Sequence, residues 1–239
     1  MIYFYRLIQK FRALTFDLDD TLYDNKPIIS RTEKKLINFL NHSNKKLLNF
    51  KHKNYKFYRK QLLIKYPKIY YNINFWRKQS ILLSITSFGI NYKLAVIITK
   101  KAMKLVNLWR NQIYIESDIH RILELLSKKW PLIAITNGDA NIYKCKISQY
   151  FSCIFRSGID GPPKPYKKMY DLAAKKLKLP PKEILHVGDC LETDVFGAIN
   201  YGMQSCWLNT HNTKLLSSIN ARTIPHFEIS KLKYLKKFI

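Results

Sequence analysis

The chain has 239 residues and carries 42 Lys and Arg against 16 Asp and Glu, a formal net charge of +26. This length allows one large domain or a core domain with a smaller second one, and 47% hydrophobic residues supply an ample core. We find no run of about 18 apolar residues that would indicate a membrane-spanning helix. The N-terminal stretch lacks the order of a secretion signal, so we expect no membrane association.

The high positive charge allows two interpretations. It can mark a surface that binds nucleic acid or a membrane. It can also reflect composition alone, because Lys, Asn, Ile and Tyr are abundant together, as a strongly AT-biased genome would produce. The lysines are spread along the whole chain, so we favour composition over nucleic-acid binding. In either case a positive field would attract a phosphorylated substrate.

The cysteines bear on the compartment. They stand at positions 145, 153, 190 and 206 and form no CxxC pair. Their spacing matches neither a zinc site nor a disulfide framework in a chain of this length. We therefore expect reduced thiols and a cytoplasmic location.

The first distinctive element is a short, largely apolar run, ALTF at 13–16, that predicts a buried strand. It leads directly into FDLDDTLYD at 16–24, which places four aspartates in nine positions. Carboxylates repel one another at such short range. This crowding indicates either a bound cation or a reaction that uses the carboxylates.

Residues 27–115 show a different pattern. Stretches such as SRTEKKLINFLNH and FWRKQSILLSI have helical spacing, and few segments indicate strands. We therefore predict an all-helical domain at 27–115, inserted into a second domain made of residues 1–26 and 116–239.

From residue 116 onward, strand and helix signals alternate. Short apolar runs predict strands at 131–138, 151–158, 183–189 and 204–209. Amphipathic stretches predict helices at 117–130, 167–179 and 193–203, with Ser117 as a candidate N-cap. This alternation is typical of an α/β fold with a doubly wound, mostly parallel sheet covered by helices on both faces.

Chemically distinctive side chains follow the predicted strands, and in open parallel sheets ligands bind beyond the carboxyl ends of the strands. They are Asp17 and Asp19 after the first strand, Thr136 and Asn137 after LIAI, Lys164 in the loop GPPKPYKKMY, and Asp189 and Asp194 after ILHV. We therefore expect these side chains to converge on one site.

The residue types suggest phosphoryl transfer. Asp17 and Asp189 can supply the hard oxygen ligands that Mg²⁺ prefers, and Asp17 can attack phosphorus to form an aspartyl phosphate. Asp19 can protonate the leaving oxygen and then activate water. Thr136 and Asn137 can bind the phosphate oxygens, while Lys164 neutralises charge on the transferred group.

The motifs DLDDT at 17–21, Thr136, Lys164 and GDCLETD at 188–194 resemble the four motifs of the haloacid dehalogenase superfamily, in the same order. The resemblance implies a Mg²⁺-dependent hydrolase whose helical cap follows the first motif. It implies Mg²⁺ ligation by the Asp17 carboxylate, the Asp19 carbonyl and Asp189. Asp194 matches the acid that orients the lysine or a metal-bound water, so we also expect it at the metal. Many relatives carry an acid where this chain has Cys190, and we expect Asp194 to suffice. A catalytic Cys190 is the disfavoured alternative, because neither a base nor a lowered pKa can be argued for it.

The predicted cap offers two candidate substrate-binding stretches, FWRKQS with Arg77 and LWRNQI with Arg110. Their tryptophans could stack on a pyrimidine-like ring, and their arginines could meet phosphate or hydroxyl groups. The alternative is that both tryptophans belong to the core and both arginines are solvated.

Three functional hypotheses follow. The first is a phosphatase acting on a small phosphorylated metabolite. The second is another reaction of the same family: a phosphomutase also keeps Asp19, whereas a dehalogenase needs no acid at this position. The third is a polyanion-binding protein without catalysis, which predicts decay of the acidic motif. The complete motif set favours the phosphatase, while the substrate and the oligomeric state stay open.

Overall fold

The computed structural model describes residues 1–141, 143–215 and 218–239. The chain folds into two compact units. One contains residues 1–24, 114–138 and 145–239, and the other contains 25–113 and 139–144. The sequence predicts a division into 1–26 and 116–239 against 27–115, which does not place residues 139–144 with the helical segment. That the helical unit acts as a cap stays a prediction.

In the part of the chain that the structure describes, the first unit is built on a seven-stranded sheet. Its strands are β1 Ile2–Phe4, β2 Ala13–Phe16, β3 Leu132–Thr136, β4 Cys153–Arg156, β5 Ile184–Gly188, β6 Gln204–Leu208 and β7 Phe227–Ile229. Their order across the sheet is β1-β7-β6-β5-β2-β3-β4. Only β1 pairs antiparallel, with β7, among the pairings of the described residues. The predicted α/β class with a mostly parallel sheet is confirmed.

Burial of the central strands explains why they could be predicted from the sequence. Every residue of β2, β3, β5 and β6 is buried. Strands of a parallel sheet are covered on both faces, so they appear in the sequence as continuous apolar runs rather than as alternating patterns. The three-residue strands β1 and β7 are too short to give such a run, and β7 was not predicted.

Helices of the first unit connect these strands. They are α5 Ser117–Lys129, α6 Lys168–Leu177 and α7 Gly197–Tyr201, with a π-helix at Leu191–Phe196 and short 3₁₀ turns at Ser148–Tyr150, Pro181–Glu183 and Leu232–Phe238. The helix predicted at 193–203 is thus a π-helix followed by α7. Ser117 is the first residue of α5 rather than its N-cap, which is Glu116.

Among its described residues, the second unit contains four helices: α1 Lys26–Ser43, α2 His52–Lys65, α3 Ile73–Thr86 and α4 Tyr92–Arg110, with 3₁₀ turns at Lys45–Leu47 and Ile69–Tyr71. Their apolar faces share one core. On α4, Ala95, Ile98, Ala102 and Val106 recur at intervals of three or four residues and are buried in it. None of the helices in the described ranges combines the length and apolarity needed to cross a membrane.

Charge is distributed unevenly between the units. The helical unit holds 21 of the 42 Lys and Arg but two of the 16 acidic residues, Glu33 and Asp139, so its formal charge is +19. The basic residues themselves are equally divided between the units. Because the helical unit is the smaller of the two, its positive field arises both from a higher density of basic residues and from a lack of acids.

Candidate active site

The sheet order brings three chain segments to one edge. Strand β2 lies between β3 and β5, and Phe16 pairs with Ala134 on one side and Val187 on the other. All three strands run in the same direction, so the residues that follow them emerge together. The Asp17 N–H donates to the Val187 carbonyl at 2.9 Å, which extends the pairing into the first motif.

Lys164 joins the first and fourth motifs. Its Nζ donates to Asp17 Oδ1 at 2.6 Å and to Asp194 Oδ1 at 2.7 Å. All three side chains are buried, with Lys164 only 2% exposed. Burial opposes a charged lysine, but the two carboxylates more than offset this and raise its pKa above the usual range. A buried ammonium group therefore stands between two carboxylates.

Asp194 is held by three hydrogen-bond donors, and the absence of a side chain at Gly188 leaves room for its carboxylate. Besides Lys164, it accepts at Oδ2 from the Cys190 N–H at 3.0 Å, and its Oδ1 lies 3.2 Å from His186 Nε2. A Cβ atom at Gly188 would overlap the Asp194 carboxylate. Burial opposes its ionisation, but Lys164 and His186 outweigh burial and lower the pKa of Asp194.

The carboxylates form a group suited to a cation. One oxygen from each of Asp17, Asp189 and Asp194 lies within 4.8 Å of the others. Burial, with the charge of Asp194, raises the pKa of Asp189 to about 7. Burial also raises the pKa of Asp17, an effect that Lys164 opposes and the two other carboxylates reinforce. Hard oxygen donors that repel one another in this way fit Mg²⁺.

Asp19 has a defined position in the loop after β2. The Tyr23 hydroxyl donates to Asp19 Oδ1. A Cβ atom at Gly138 would overlap the Asp19 carboxylate, so this side chain packs against Gly138, two residues after Thr136. In addition, the Thr21 hydroxyl donates to Asp189 Oδ1 at 3.1 Å, which links the first motif to the fourth.

The two residues predicted to bind phosphate are placed differently. Thr136 is buried at the end of β3, and its Oγ1 accepts from the Gly138 N–H at 2.9 Å, so the hydroxyl hydrogen can still serve another acceptor. The Asn137 side chain instead bonds the backbone of Lys164, donating to its carbonyl at 2.9 Å and accepting from its N–H at 2.7 Å. This arrangement positions Lys164. Phosphate binding by Thr136 and Asn137 stays a prediction.

Cys190 follows Asp189 but lacks the features of a nucleophile. Its pKa is raised by burial and by the charge of Asp194. A thiol with a raised pKa is mostly protonated near neutral pH and reacts slowly. Its backbone N–H, by contrast, binds Asp194, so the backbone at this position contributes to the site.

Arg77 and Arg110 meet within the helical unit on a carboxylate that the sequence reasoning missed. Arg77 donates to Asp139 Oδ2 and, at 3.0 Å, to Asn74. Arg110 donates to Asp139 Oδ1 at 3.1 Å and to Asn25 at 2.6 Å. All three charged groups are nearly inaccessible, with side-chain exposures of 10%, 5% and 2%. Neither arginine is solvated, and substrate binding by either stays a prediction.

The tryptophans beside these arginines are half-buried. Trp76 Nε1 donates to the Arg59 carbonyl at 3.0 Å, and the Arg59 guanidinium lies 4.0 Å from its ring centre. Trp109 packs against the core of the helical unit. Structural contacts thus occupy part of both rings.

Two further polar residues could have been identified from the sequence as a buried hydrogen-bonded pair. Thr15 and His186 interrupt strands whose other side chains are apolar, and they are register partners on β2 and β5. Buried polar groups need partners. Two of them on adjacent central strands indicate a buried hydrogen bond, which the structure shows at 2.8 Å.

Comparison with known proteins identifies the family of the chain. Residues 11–202 match the family model of haloacid dehalogenase-like hydrolases. The chain is 42% identical over 236 residues, 99% of each protein, to 5-amino-6-(5-phospho-D-ribitylamino)uracil phosphatase YigB of Escherichia coli K12. It is 32% identical over 111 residues, 44% of the chain and 48% of the relative, to the pyrimidine 5'-nucleotidase YjjG of the same organism.

A solved structure shows the same fold. The 2-haloacid dehalogenase from Pseudomonas syringae pv. Tomato DC3000 superposes with a TM-score of 0.87 at 27% identity, covering 95% of this chain and 97% of that one.

Proposed function

The chain belongs to the haloacid dehalogenase-like hydrolases and is a phosphatase, and from this premise we propose that it is Mg²⁺-dependent and acts through an aspartyl phosphate on Asp17. The observation that carries the proposal is the placement of Lys164. Its ammonium group contacts both Asp17 and Asp194 inside a group of three carboxylates. Such a fixed cation can stabilise negative charge on a transferred phosphoryl group without reorganising in the transition state.

The reaction has two steps. A carboxylate oxygen of Asp17 attacks phosphorus while the ester P–O bond breaks, and Asp19 gives its proton to the leaving alkoxide. Water then attacks the phosphorus of the aspartyl phosphate and loses a proton to Asp19. The acyl phosphate bond breaks, which releases inorganic phosphate and restores the Asp17 carboxylate.

The acidic group supports a proposal for the residues that would hold the metal. Asp17, Asp189 and the backbone carbonyl of Asp19 would hold Mg²⁺, whose charge offsets their repulsion and that of the phosphate. Asp194 was also predicted at the metal. Because its oxygens accept from Lys164, the Cys190 N–H and His186, we assign Asp194 chiefly to orienting the lysine.

For the substrate we propose 5-amino-6-(5-phospho-D-ribitylamino)uracil, an intermediate of riboflavin biosynthesis. The support is the relative named for this substrate, which matches this chain over 99% of both lengths. Segments including KKWPLIAITNGDA and EILHVGDCLETDVFGAINYGMQSCW resemble that phosphatase. Flavin mononucleotide and sugar phosphates are further candidates, since relatives of that enzyme tend to accept them.

The test is phosphate release from this uracil compound, flavin mononucleotide and simple sugar phosphates, each with Mg²⁺ and with a chelator. We expect release that requires Mg²⁺ and is fastest with the uracil compound. Equal rates on all compounds would contradict the substrate assignment but retain the phosphatase. Transfer of phosphate to a second hydroxyl, with none released, would identify a phosphomutase instead.

A matched pair of variants tests the nucleophile. Asp17→Asn replaces the nucleophilic carboxylate with an uncharged amide and should abolish turnover. Asp20→Asn changes a neighbouring carboxylate to the same amide at a position with φ of 61°, which Asn tolerates. We expect Asp20→Asn to keep activity near wild type. Activity in Asp17→Asn comparable to wild type would refute the mechanism.

A further inference from the structure

His186 is a buried titratable residue for which the reaction above has no use. It lies on β5, has no solvent exposure, and packs edge-on against the Tyr170 ring with 5.3 Å between ring centres. Both ring nitrogens have partners. Nδ1 lies 2.8 Å from Thr15 Oγ1 on the neighbouring strand, and Nε2 lies 3.2 Å from Asp194 Oδ1.

The partners determine where the ring proton lies. Asp194 is paired with the Lys164 ammonium group, and an ionised carboxylate can only accept hydrogen bonds. Nε2 must therefore carry the hydrogen that faces Asp194. In a neutral ring Nδ1 is then an acceptor, and the Thr15 hydroxyl can donate to it. This arrangement satisfies every polar atom of the Thr15–His186–Asp194 chain.

The strand geometry places the ring where it can hold Asp194. His186 and Gly188 are two residues apart on β5, so they share one face of the sheet. The Asp194 carboxylate occupies the space over Gly188 that a side chain would fill, beside the His186 ring. Without the Nε2–H donor, Asp194 Oδ1 would keep only Lys164 of the two donors described here.

We propose that His186 is a positioning residue for the reaction. With Thr15 fixing its tautomer, it orients Asp194, and Asp194 in turn holds the Lys164 ammonium group against Asp17. The proposal rests on the proposed function in one respect, because it assigns Lys164 a role in stabilising the transferred phosphoryl group. The hydrogen-bonded chain itself can be tested without any turnover.

The direct test is ¹⁵N NMR of the His186 ring in the wild-type protein at neutral pH. We expect a neutral ring with the hydrogen on Nε2. In Thr15→Val, which lacks the hydroxyl donor, the Nδ1 resonance should shift because its acceptor bond is lost. A hydrogen on Nδ1 in the wild-type protein would overturn the proposal, whether or not the protein hydrolyses any tested phosphate.

Two polar variants provide the kinetic test. His186→Gln keeps an N–H donor at the distance of Nε2, whereas the shorter His186→Asn cannot reach Asp194. Orienting residues behind a site typically affect activity 10–100-fold, so we expect kcat of His186→Asn to fall roughly 10–100-fold with KM changed less than about threefold. His186→Gln should recover most of kcat.

The comparison separates positioning from folding. If His186 only filled the core, both variants would lower the melting temperature and retain kcat in their folded fraction, which would overturn the proposal. If the wild-type protein releases no phosphate from any compound, the proposed function fails instead, and the NMR result still decides the arrangement of the ring.

Discussion

The Asp194 carboxylate lies in the space that a Cβ atom on residue 188 would fill. The glycine that ends β5 is thus required by the acid six positions later, because only a residue without a side chain lets this carboxylate approach Lys164 at 2.7 Å. The glycine at position 188 is therefore needed for the ion pair between Asp194 and Lys164.

Gly188→Ala should therefore act through Asp194. We expect the added methyl group to displace the carboxylate, lower kcat by at least tenfold, and destabilise the fold by about 1–3 kcal/mol, as overpacking does. Phosphate release and urea unfolding measure the two effects. Wild-type values of both would contradict the contact between these residues.

Asp19→Asn should separate the two chemical steps. The variant lacks the proton donor and the base, so kcat should fall by roughly 10²–10⁴-fold. With p-nitrophenyl phosphate, whose leaving group needs little protonation, acid quenching should trap a phosphorylated protein. The matched Asp20→Asn variant should turn over without accumulating it. Normal turnover in Asp19→Asn would show that the acid/base assignment is wrong.

Lys164→Met should affect stability as well as activity. It leaves the buried carboxylates of Asp17 and Asp194 without their shared cation, and breaking a buried ion pair typically costs about 3–5 kcal/mol. The control is Lys167→Met, which makes the same substitution at an exposed lysine. Urea unfolding should show the loss in Lys164→Met alone, together with loss of phosphate release. Equal stability of both variants would refute the buried pairing.

Metal binding should stabilise the protein more at high pH. Burial raises the pKa of Asp189 to about 7, so the folded state keeps a proton that the unfolded state releases. Without metal, this group stabilises the fold at low pH, and the contribution disappears as pH rises from about 4 through about 7. Mg²⁺ requires the ionised form, so it should raise the melting temperature more at about pH 8 than at about pH 5.5.

Asp189→Asn provides the control for this pH dependence. The amide does not titrate, so the variant should lose most of the Mg²⁺ effect and the part of the pH dependence due to this carboxyl. Melting curves of both proteins with and without Mg²⁺ test this. An identical Mg²⁺ response in wild type and Asp189→Asn would exclude Asp189 as a ligand.

Asp139→Asn should destabilise the helical unit. The change leaves Arg77 and Arg110 buried without their shared carboxylate, which we expect to cost about 2–4 kcal/mol. A double-mutant cycle of Asp139→Asn with Arg77→Met should give a coupling of at least about 1 kcal/mol, whereas the exposed Lys78→Met should show none. Additive effects for Arg77 would indicate that the arginine acts elsewhere, as in substrate binding.

The sequence by itself determined the fold class and the family. The strands β2, β3, β5 and β6 are buried on both faces, so their sequences are continuous apolar runs that can be recognised locally. The polar residues that follow such runs must emerge at one edge of a parallel sheet, which made Asp17 and Asp189 predictable as neighbours.

Only the tertiary structure decided how the side chains pair. The Asn137 side chain hydrogen-bonds the backbone of Lys164, and His186 connects Thr15 with Asp194. Asp139 forms ion pairs with both Arg77 and Arg110. Each pairing joins residues that are far apart along the chain, or in separate turns and helices. Local periodicity reports whether a side chain is buried, but the partner of a buried polar group depends on which elements pack beside it.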